Sequence, residues 1–158
     1  MRDQLFEAEQ TIPRPRSEVF AFFADPANLE SITPPWLRFR IVARTTAAVR
    51  DGSEFTYRLR LHGLPLTWVS RITRWEPGTR FVDEQVRGPY ALWEHLHTFR
   101  DGEGGTVVGD RVRWRLPLAV LSHPFAAPFV RRDVERIFAF RRRRLEKLLA
   151  VPAPGPRT

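Results

Sequence analysis

The chain has 158 residues, the size of one domain with a single core, and no cysteine, so disulfides, thiolate metal sites and cysteine nucleophiles are excluded. No apolar run approaches the roughly 20 residues of a membrane span, and Met1 leads into Arg2, Asp3 and Gln4 instead of a signal sequence's apolar stretch, so a cytoplasmic protein is expected. The net charge is +8, yet of 26 basic residues only Lys147 is a lysine, and the densest run, Arg141 to Arg144, falls near a helix end where cations also favour the dipole, so a dedicated nucleic-acid function is disfavoured.

Residues 3–12 read as a first strand, with Leu5 and Phe6 near its start, Ile12 at its end, and Pro13 and Pro15 as its stop. Ser17 is a suitable N-cap with Glu18 in the first turn, and the run from Val19 to Ala24 makes a short apolar helix ended by Asp25 and Pro26. Asn28 to Ser31 offer one further turn. Thr33, Pro34, Pro35 and Trp36 form a stiff loop before a strand expected over Leu37 to Ala43.

From Ser53 the apolar period is two. Phe55, Tyr57, Leu59 and Leu61 alternate with Thr56, Arg58 and Arg60, and Gly63 with Pro65 marks a turn. Leu66 to Trp75 follows, then a turn at Glu76, Pro77 and Gly78, then Arg80 to Val86. Gly88 and Pro89 lead into a strand from Tyr90 to Phe99, and the turn at Asp101, Gly102, Gly104 and Gly105 returns it through Thr106 to Leu116. Successive hairpins of this kind make an antiparallel meander. After Pro117 the period becomes helical, with Val130, Val134, Ile137, Phe138, Arg141, Leu145 and Leu148 on one stripe. Pro124 and Pro128 kink or delay its start, and residues 151–158, with three prolines, are expected to form a flexible tail after a single domain over residues 1–150.

One strand, two short helices, six strands and a long closing helix imply an α+β fold in which a curved antiparallel sheet wraps around the last helix. This order, with the entry at Pro15 to Phe20 and the runs Ile32 to Leu37 (ITPPWL), Trp93 to Phe99 (WEHLHTF) and Ile137 to Arg141 (IFAFR), resembles the START-like, Bet v 1-like helix-grip superfamily. That superfamily is also called the SRPBCC or polyketide cyclase/dehydrase and lipid-transport group, and the chain looks like a bacterial ligand-binding branch of it. The resemblance covers about residues 3–149 and implies a deep apolar cavity between sheet and helix. The strand phases say what would line it: Phe55, Tyr57, Leu59, Trp68, Ile72, Phe81, Trp93, Phe99 and Trp114, with Ile137 and Phe138 opposite. Trp36 would sit at the mouth, and Phe22 and Phe23 would close another side.

Alternate side chains of a strand share a face, so Trp93, His95, His97 and Phe99 look one way while Glu94 and Thr98 look the other. If Phe81 faces inward, so do Asp83 and Gln85; if Trp114 does, so do Val112 and Asp110. The result is an inward polar constellation of Asp83, Gln85, His95, His97 and Asp110. Buried charges need partners, and Arg141, in the middle of the helix's apolar stripe, is expected to bridge to one of the aspartates.

Two readings of this constellation follow. It ties helix to sheet and shapes the cavity, or a histidine oriented by Asp83 or Asp110 acts as acid or base on a bound carbonyl compound, with Tyr57 donating to a developing enolate oxygen. His95 and His97 could also ligate zinc with either aspartate, but the spacing is loose and no second pair reinforces it, so no metal or other cofactor is assigned. Nothing recommends His62, at a turn, or His123, beside Pro124, as a site residue. The other face carries Arg58, Arg60, Arg71, Arg111, Arg113 and Arg115 with Glu84, Glu94 and Thr98, as cross-strand pairs on a solvated face would. No nucleophile elbow or phosphate loop is present.

The function expected is binding of a hydrophobic or aromatic small molecule such as a polyketide, isoprenoid, quinone or lipid. A cyclase/dehydrase-type enzyme is the alternative. A regulatory module using the basic convex face against an acidic partner or an anionic membrane surface is the third.

Overall fold

The computed structural model describes residues 3–121 and 125–150. Strand β1 (Gln4–Ile12) is followed by helices α1 (Arg16–Ala24) and α2 (Pro26–Ser31) and a 3-10 turn at Pro35–Leu37. Then come β2 (Arg40–Arg44), β3 (Glu54–Leu61), β4 (Leu64–Glu76), β5 (Arg80–Arg87), β6 (Leu92–Gly102) and β7 (Gly105–Arg115), a short α3 (Leu118–Leu121) and the long α4 (Ala126–Leu149). The strands form one antiparallel sheet in the order β1-β7-β6-β5-β4-β3-β2. Consecutive strands pair from β2 to β7, and β1 closes against β7 with Gln4 opposite Trp114 and Ile12 opposite Thr106. Register shifts between Ile41 and Ala43, Val69 and Ser70, and Ile72 and Arg74 bend the sheet. The curved sheet and its long C-terminal helix make the helix-grip α+β fold expected above.

Local chemistry corrects several boundaries. Helix α1 starts at Arg16 with Pro15 in the cap position and no side-chain cap, so Ser17 is inside the first turn. Pro15 is already set for helix entry, and its carbonyl accepts from the N–H groups of Glu18 and Val19. Asp25 does more than end α1: its carboxylate accepts from Ala27 N–H at 3.0 Å and caps α2, with Pro26 as that helix's first residue. The strand expected at Leu37 begins only at Arg40, because Pro34 and Pro35 favour a tight 3-10 turn that Arg38 leaves at φ 43°. Pro128 is the third residue of α4, where its missing N–H costs nothing. Pro124, His123 and the tail 151–158 lie outside the described residues. No described helix is long and apolar enough to cross a membrane.

Two apolar clusters sit on the concave face. One gathers Ile12, Val19, Phe20, Ile32, Phe55, Ile72, Phe81, Phe99 and Val108 around Leu145 of α4. The other packs Val112, Trp114 and Leu116 against Val134 and Phe138 of the same helix. Helix α4 thus seals both ends of the trough, and the space left between them holds the candidate site.

Candidate functional site

A cavity of about 230 Å³ lies between sheet and α4, walled by residues of both clusters. Phe55, Tyr57, Leu59, Trp68, Ile72, Phe81, Trp93, Ile137, Phe138 and Arg141 line it as their strand and helix phases require, together with Phe22 and Phe23 of α1. Asp83, His95 and His97 reach it from β5 and β6.

Four of the expected residues lie elsewhere. Trp36 is not at the mouth: its half-exposed indole packs edge-on against Phe140 with the Arg136 guanidinium over its ring, on the outer side of α4. Phe99 and Trp114 point inward but sit beyond the ends of the cavity, 2% and 1% exposed within the two packed clusters. Gln85 faces inward and yet joins no histidine. Its amide instead clamps the β5–β6 connection, donating to Tyr90 O at 2.8 Å and accepting from Tyr90 N–H at 3.1 Å. A Cβ at Gly88 would force that Gln85 side chain to shift.

The polar wall is a closed ring of four groups. Register places His97 opposite Asp110 and His95 opposite Asp83. His95 Nε2 is 2.7 Å from Asp110 Oδ1, and His97 Nε2 is 2.8 Å from Asp83 Oδ2. The second nitrogens face the other carboxylates, His95 Nδ1 at 3.7 Å from Asp83 and His97 Nδ1 at 3.5 Å from Asp110. The imidazoles lie 3.7 Å apart, with Phe81 stacked on His97 at 4.1 Å and Phe138 edge-on to His95. Both histidines are buried, at 5% and 3% exposure. Asp110 lies behind the rings on β7, away from the cavity, while Asp83 stands at its wall.

Burial penalises charge on His97 and the neighbouring His95 adds to the effect, so its pKa falls to about 4 despite the hydrogen bond to Asp83. Burial works in the opposite sense on the aspartates, but hydrogen bonds from the imidazoles and the charges around them outweigh it. Both Asp83 and Asp110 are held below the usual carboxylate range.

A side chain that the strand pattern alone does not single out extends this wall. Ser70 of β4 is buried, receives Trp68 Nε1–H at 3.2 Å and donates to Asp83 Oδ1 at 3.5 Å. Its signal in the sequence is its phase, since Ser70 alternates with Trp68 and Ile72 on one face. Burial, then the nearby Asp83 charge, push the Tyr57 phenol far above its ordinary value, so Tyr57 is a neutral O–H at the cavity surface.

The expected aspartate–Arg141 bridge is not made. Among the described residues no carboxylate lies within 4.0 Å of Arg141; its guanidinium instead sits over the rings of Phe23 (5.9 Å) and Phe138 (5.7 Å). The imidazoles already occupy the aspartates, and Arg141 Nε is left buried without a hydrogen-bond partner. Its charge still acts on Asp83, Asp110 and Tyr57 through space.

His62 does more than sequence reasoning allows. At φ 49° in the β3–β4 turn, it reaches Asp133 of α4 at 2.5 Å and packs against Phe129, pinning the hairpin tip to the helix. On the convex face, Arg71 pairs with Glu54, Arg111 with Glu7, Arg113 with Glu94 and Asp3, and Arg100 with Glu9. These pairs neutralise Arg71, Arg100, Arg111 and Arg113 and leave the chain's net charge of +8 as it was.

The profile of the family described as polyketide cyclase / dehydrase and lipid transport matches residues 3–150. Comparison with curated proteins finds no match. Among solved structures, the di-domain aromatase/cyclase StfQ of the steffimycin biosynthetic pathway superposes with a TM-score of 0.77 at 16% identity, covering 94% of this chain and 51% of that one. The aromatase/cyclase Zhui of Streptomyces sp. R1128 gives 0.73 at 15% identity over 91% and 92% of the two chains. Ginseng major latex-like protein 151 of Panax ginseng gives 0.68 at 12% identity over 95% and 99%. At these identities the likeness is one of fold.

Proposed function

The chain belongs to the polyketide cyclase / dehydrase and lipid transport family, and from that premise we propose that its central cavity binds a small aromatic or otherwise hydrophobic molecule bearing at least one polar oxygen. The observation that carries this reading is the cavity itself, mostly aromatic and aliphatic, with Tyr57, Ser70, Asp83, His95, His97 and Arg141 as its central polar wall and Asp25, Asn28 and Thr33 of the α1–α2 region as further polar lining. Its volume of about 230 Å³ exceeds the roughly 150 Å³ apolar space that takes up benzene. One or two fused rings therefore fit. Apolar walls supply affinity and the few polar groups set orientation. Arg141 Nε–H is a buried donor without a partner, and a carbonyl or phenol oxygen would satisfy it.

The test is native mass spectrometry of protein purified gently from its own host, followed by calorimetric titration with 2-naphthol in the presence of a chelator. A bound aromatic adduct, or naphthol affinity that disappears in the cavity-filling Leu59→Trp variant, supports the reading. Equal naphthol affinity in wild type and Leu59→Trp would overturn it.

The His–Asp ring favours a second reading, acid–base catalysis on the bound molecule. Each imidazole has a carboxylate facing both of its nitrogens, so a proton can be held at either edge and delivered across the ring. The likeness in fold to aromatase/cyclases supports the cyclase/dehydrase form of this chemistry. If turnover occurs, His95→Ala and His97→Ala abolish it while leaving ligand affinity within a few-fold. Loss of affinity with no rate to lose marks a carrier.

A further inference from the structure

The ring of histidines and aspartates is lopsided in a way that simple pairing does not explain. His95 Nε2 and His97 Nδ1 both face one atom, Asp110 Oδ1, at 2.7 and 3.5 Å. His95 Nδ1 and His97 Nε2 both face another, Asp83 Oδ2, at 3.7 and 2.8 Å. One carboxylate thus stands behind the two rings and the other in front, at the cavity wall.

A neutral imidazole has a single N–H. With the His97 proton on Nε2, its bond to Asp83 leaves Nδ1 buried and without a hydrogen-bond partner. With that proton on Nδ1, Asp110 accepts from both rings at once. Two bare nitrogen lone pairs and a carboxylate oxygen then converge on one point, all acceptors and no donor. A bound cation would satisfy all three acceptors of such an arrangement at once.

We propose that Asp83, His95 and His97 form a three-ligand site for a divalent transition-metal ion of the zinc class, with Asp110 as the carboxylate that fixes both imidazoles. The three ligand atoms lie within 4.8 Å of one another, and tetrahedral bonding at about 2.0–2.2 Å needs them about 3.4 Å apart. Changes in ligand separation of a few tenths of an ångström to at most about 1.4 Å therefore suffice. Two imidazoles with one carboxylate select borderline transition ions over magnesium or calcium, which require oxygen donors. A carboxylate behind a ligating histidine sets its tautomer and raises its basicity, and here one aspartate serves two rings.

Three protein ligands leave a coordination position open, as catalytic zinc sites do and structural ones do not. It falls on the cavity side, where Tyr57, Ser70 and Arg141 stand. The Arg141 charge there favours an anionic fourth ligand, a hydroxide or the oxygen of the bound molecule. The geometry of the ring carries this site whichever organic molecule the cavity takes.

The experiment is calorimetric titration of the full-length, chelator-stripped protein with Zn²⁺, paired with the visible spectrum of the Co²⁺ adduct as a readout of coordination geometry. One ion per chain is expected, with an intense four-coordinate cobalt spectrum. Asp83→Asn and His95→Ala should weaken Zn²⁺ binding at least 100-fold, and Asp110→Asn by roughly 10–100-fold, with circular dichroism checking that each variant is folded. His62→Ala, at the surface pair with Asp133, should leave binding unchanged. Failure of the wild type to take up stoichiometric Zn²⁺ at micromolar free ion would overturn the assignment. Binding by Asp83→Asn or His95→Ala as tight as that of the wild type would overturn it equally, as would loss of the site in His62→Ala. The naphthol titration, run in chelator, tests the cavity independently, so a missing metal site and a cavity that takes no ring give different results.

Discussion

Strands β6 and β7 carry charged cross-strand pairs on both of their faces. On the convex face Glu94 meets Arg113 at 3.0 Å, with both side chains a third to a half exposed. On the concave face, three residues further along β6, His97 is paired in register with Asp110 and both are nearly enclosed. The outer pair is screened by water and is worth about 0.2–1 kcal/mol. The inner groups gave up hydration that costs several kcal/mol per ion, recovered only while every partner stays in place. The outer charges can therefore drift with composition, whereas the inner set is costly to keep, as the polar groups of the proposed site would be.

The sharpest challenge to this contrast is Asp110→Ala. Removing that carboxylate strips both imidazoles of an acceptor, and chemical denaturation should show a loss of about 1–3 kcal/mol for each donor left unsatisfied; a loss under about 1 kcal/mol would place the inner ring on a par with the outer pairs. Next in size is the response to acid. His97 titrates near 4 when folded and near 6.5 when unfolded, so between those values the unfolded chain binds more protons and acid favours unfolding. Stability from this group is complete above about pH 6.5 and disappears as pH falls toward 4. The depressed aspartates extend the loss below that, since their contribution goes as they protonate. In chelator, Tm should be level above about pH 7 and fall roughly 5–10 °C by about pH 4; a level profile would mean that His97 is not desolvated. The smallest effect is outside. A double-mutant cycle on Glu94 and Arg113 should give a coupling below about 1 kcal/mol that salt reduces further, and a larger, salt-insensitive value would erase the distinction between the faces.

Strand phase makes much of this legible in the sequence. Alternation alone puts Trp93, His95, His97 and Phe99 on one face and matches Asp83 and Asp110 to it, because a period of two is a property of the local backbone. Depth along the strand is not local. Phe99 and Trp114 share the inward face with the histidines, but whether an inward ring borders a cavity or fills a core depends on what α1 and α4 bring to that level. Gln85 escapes the pattern for the same reason: facing inward, it lies beyond the ring at the β5–β6 connection. Helical period puts Arg141 in the right stripe without naming its partners, since two phenylalanine rings and already occupied carboxylates decide where a guanidinium rests. Trp36 follows the strand start expected at Leu37, where two prolines impose a 3-10 turn instead. The clasp between His62 and Asp133 leaves no mark in either local pattern.

The closure of β1 onto β7 joins the first strand to the last, with Gln4 across from Trp114. Every other strand pair joins neighbours in sequence, so loop entropy orders the assembly: the meander can zip locally, while the β1 pairing must wait for the largest loop to close. The ends of α4 pack on residues that β1 and β7 bring together, which makes the cavity a late product of folding. A nascent chain released before α4 emerges would expose the concave face of the sheet, its aromatic rings and its buried charges to solvent at once, and that exposed trough is the surface on which the translating protein is most open to aggregation and to chaperones.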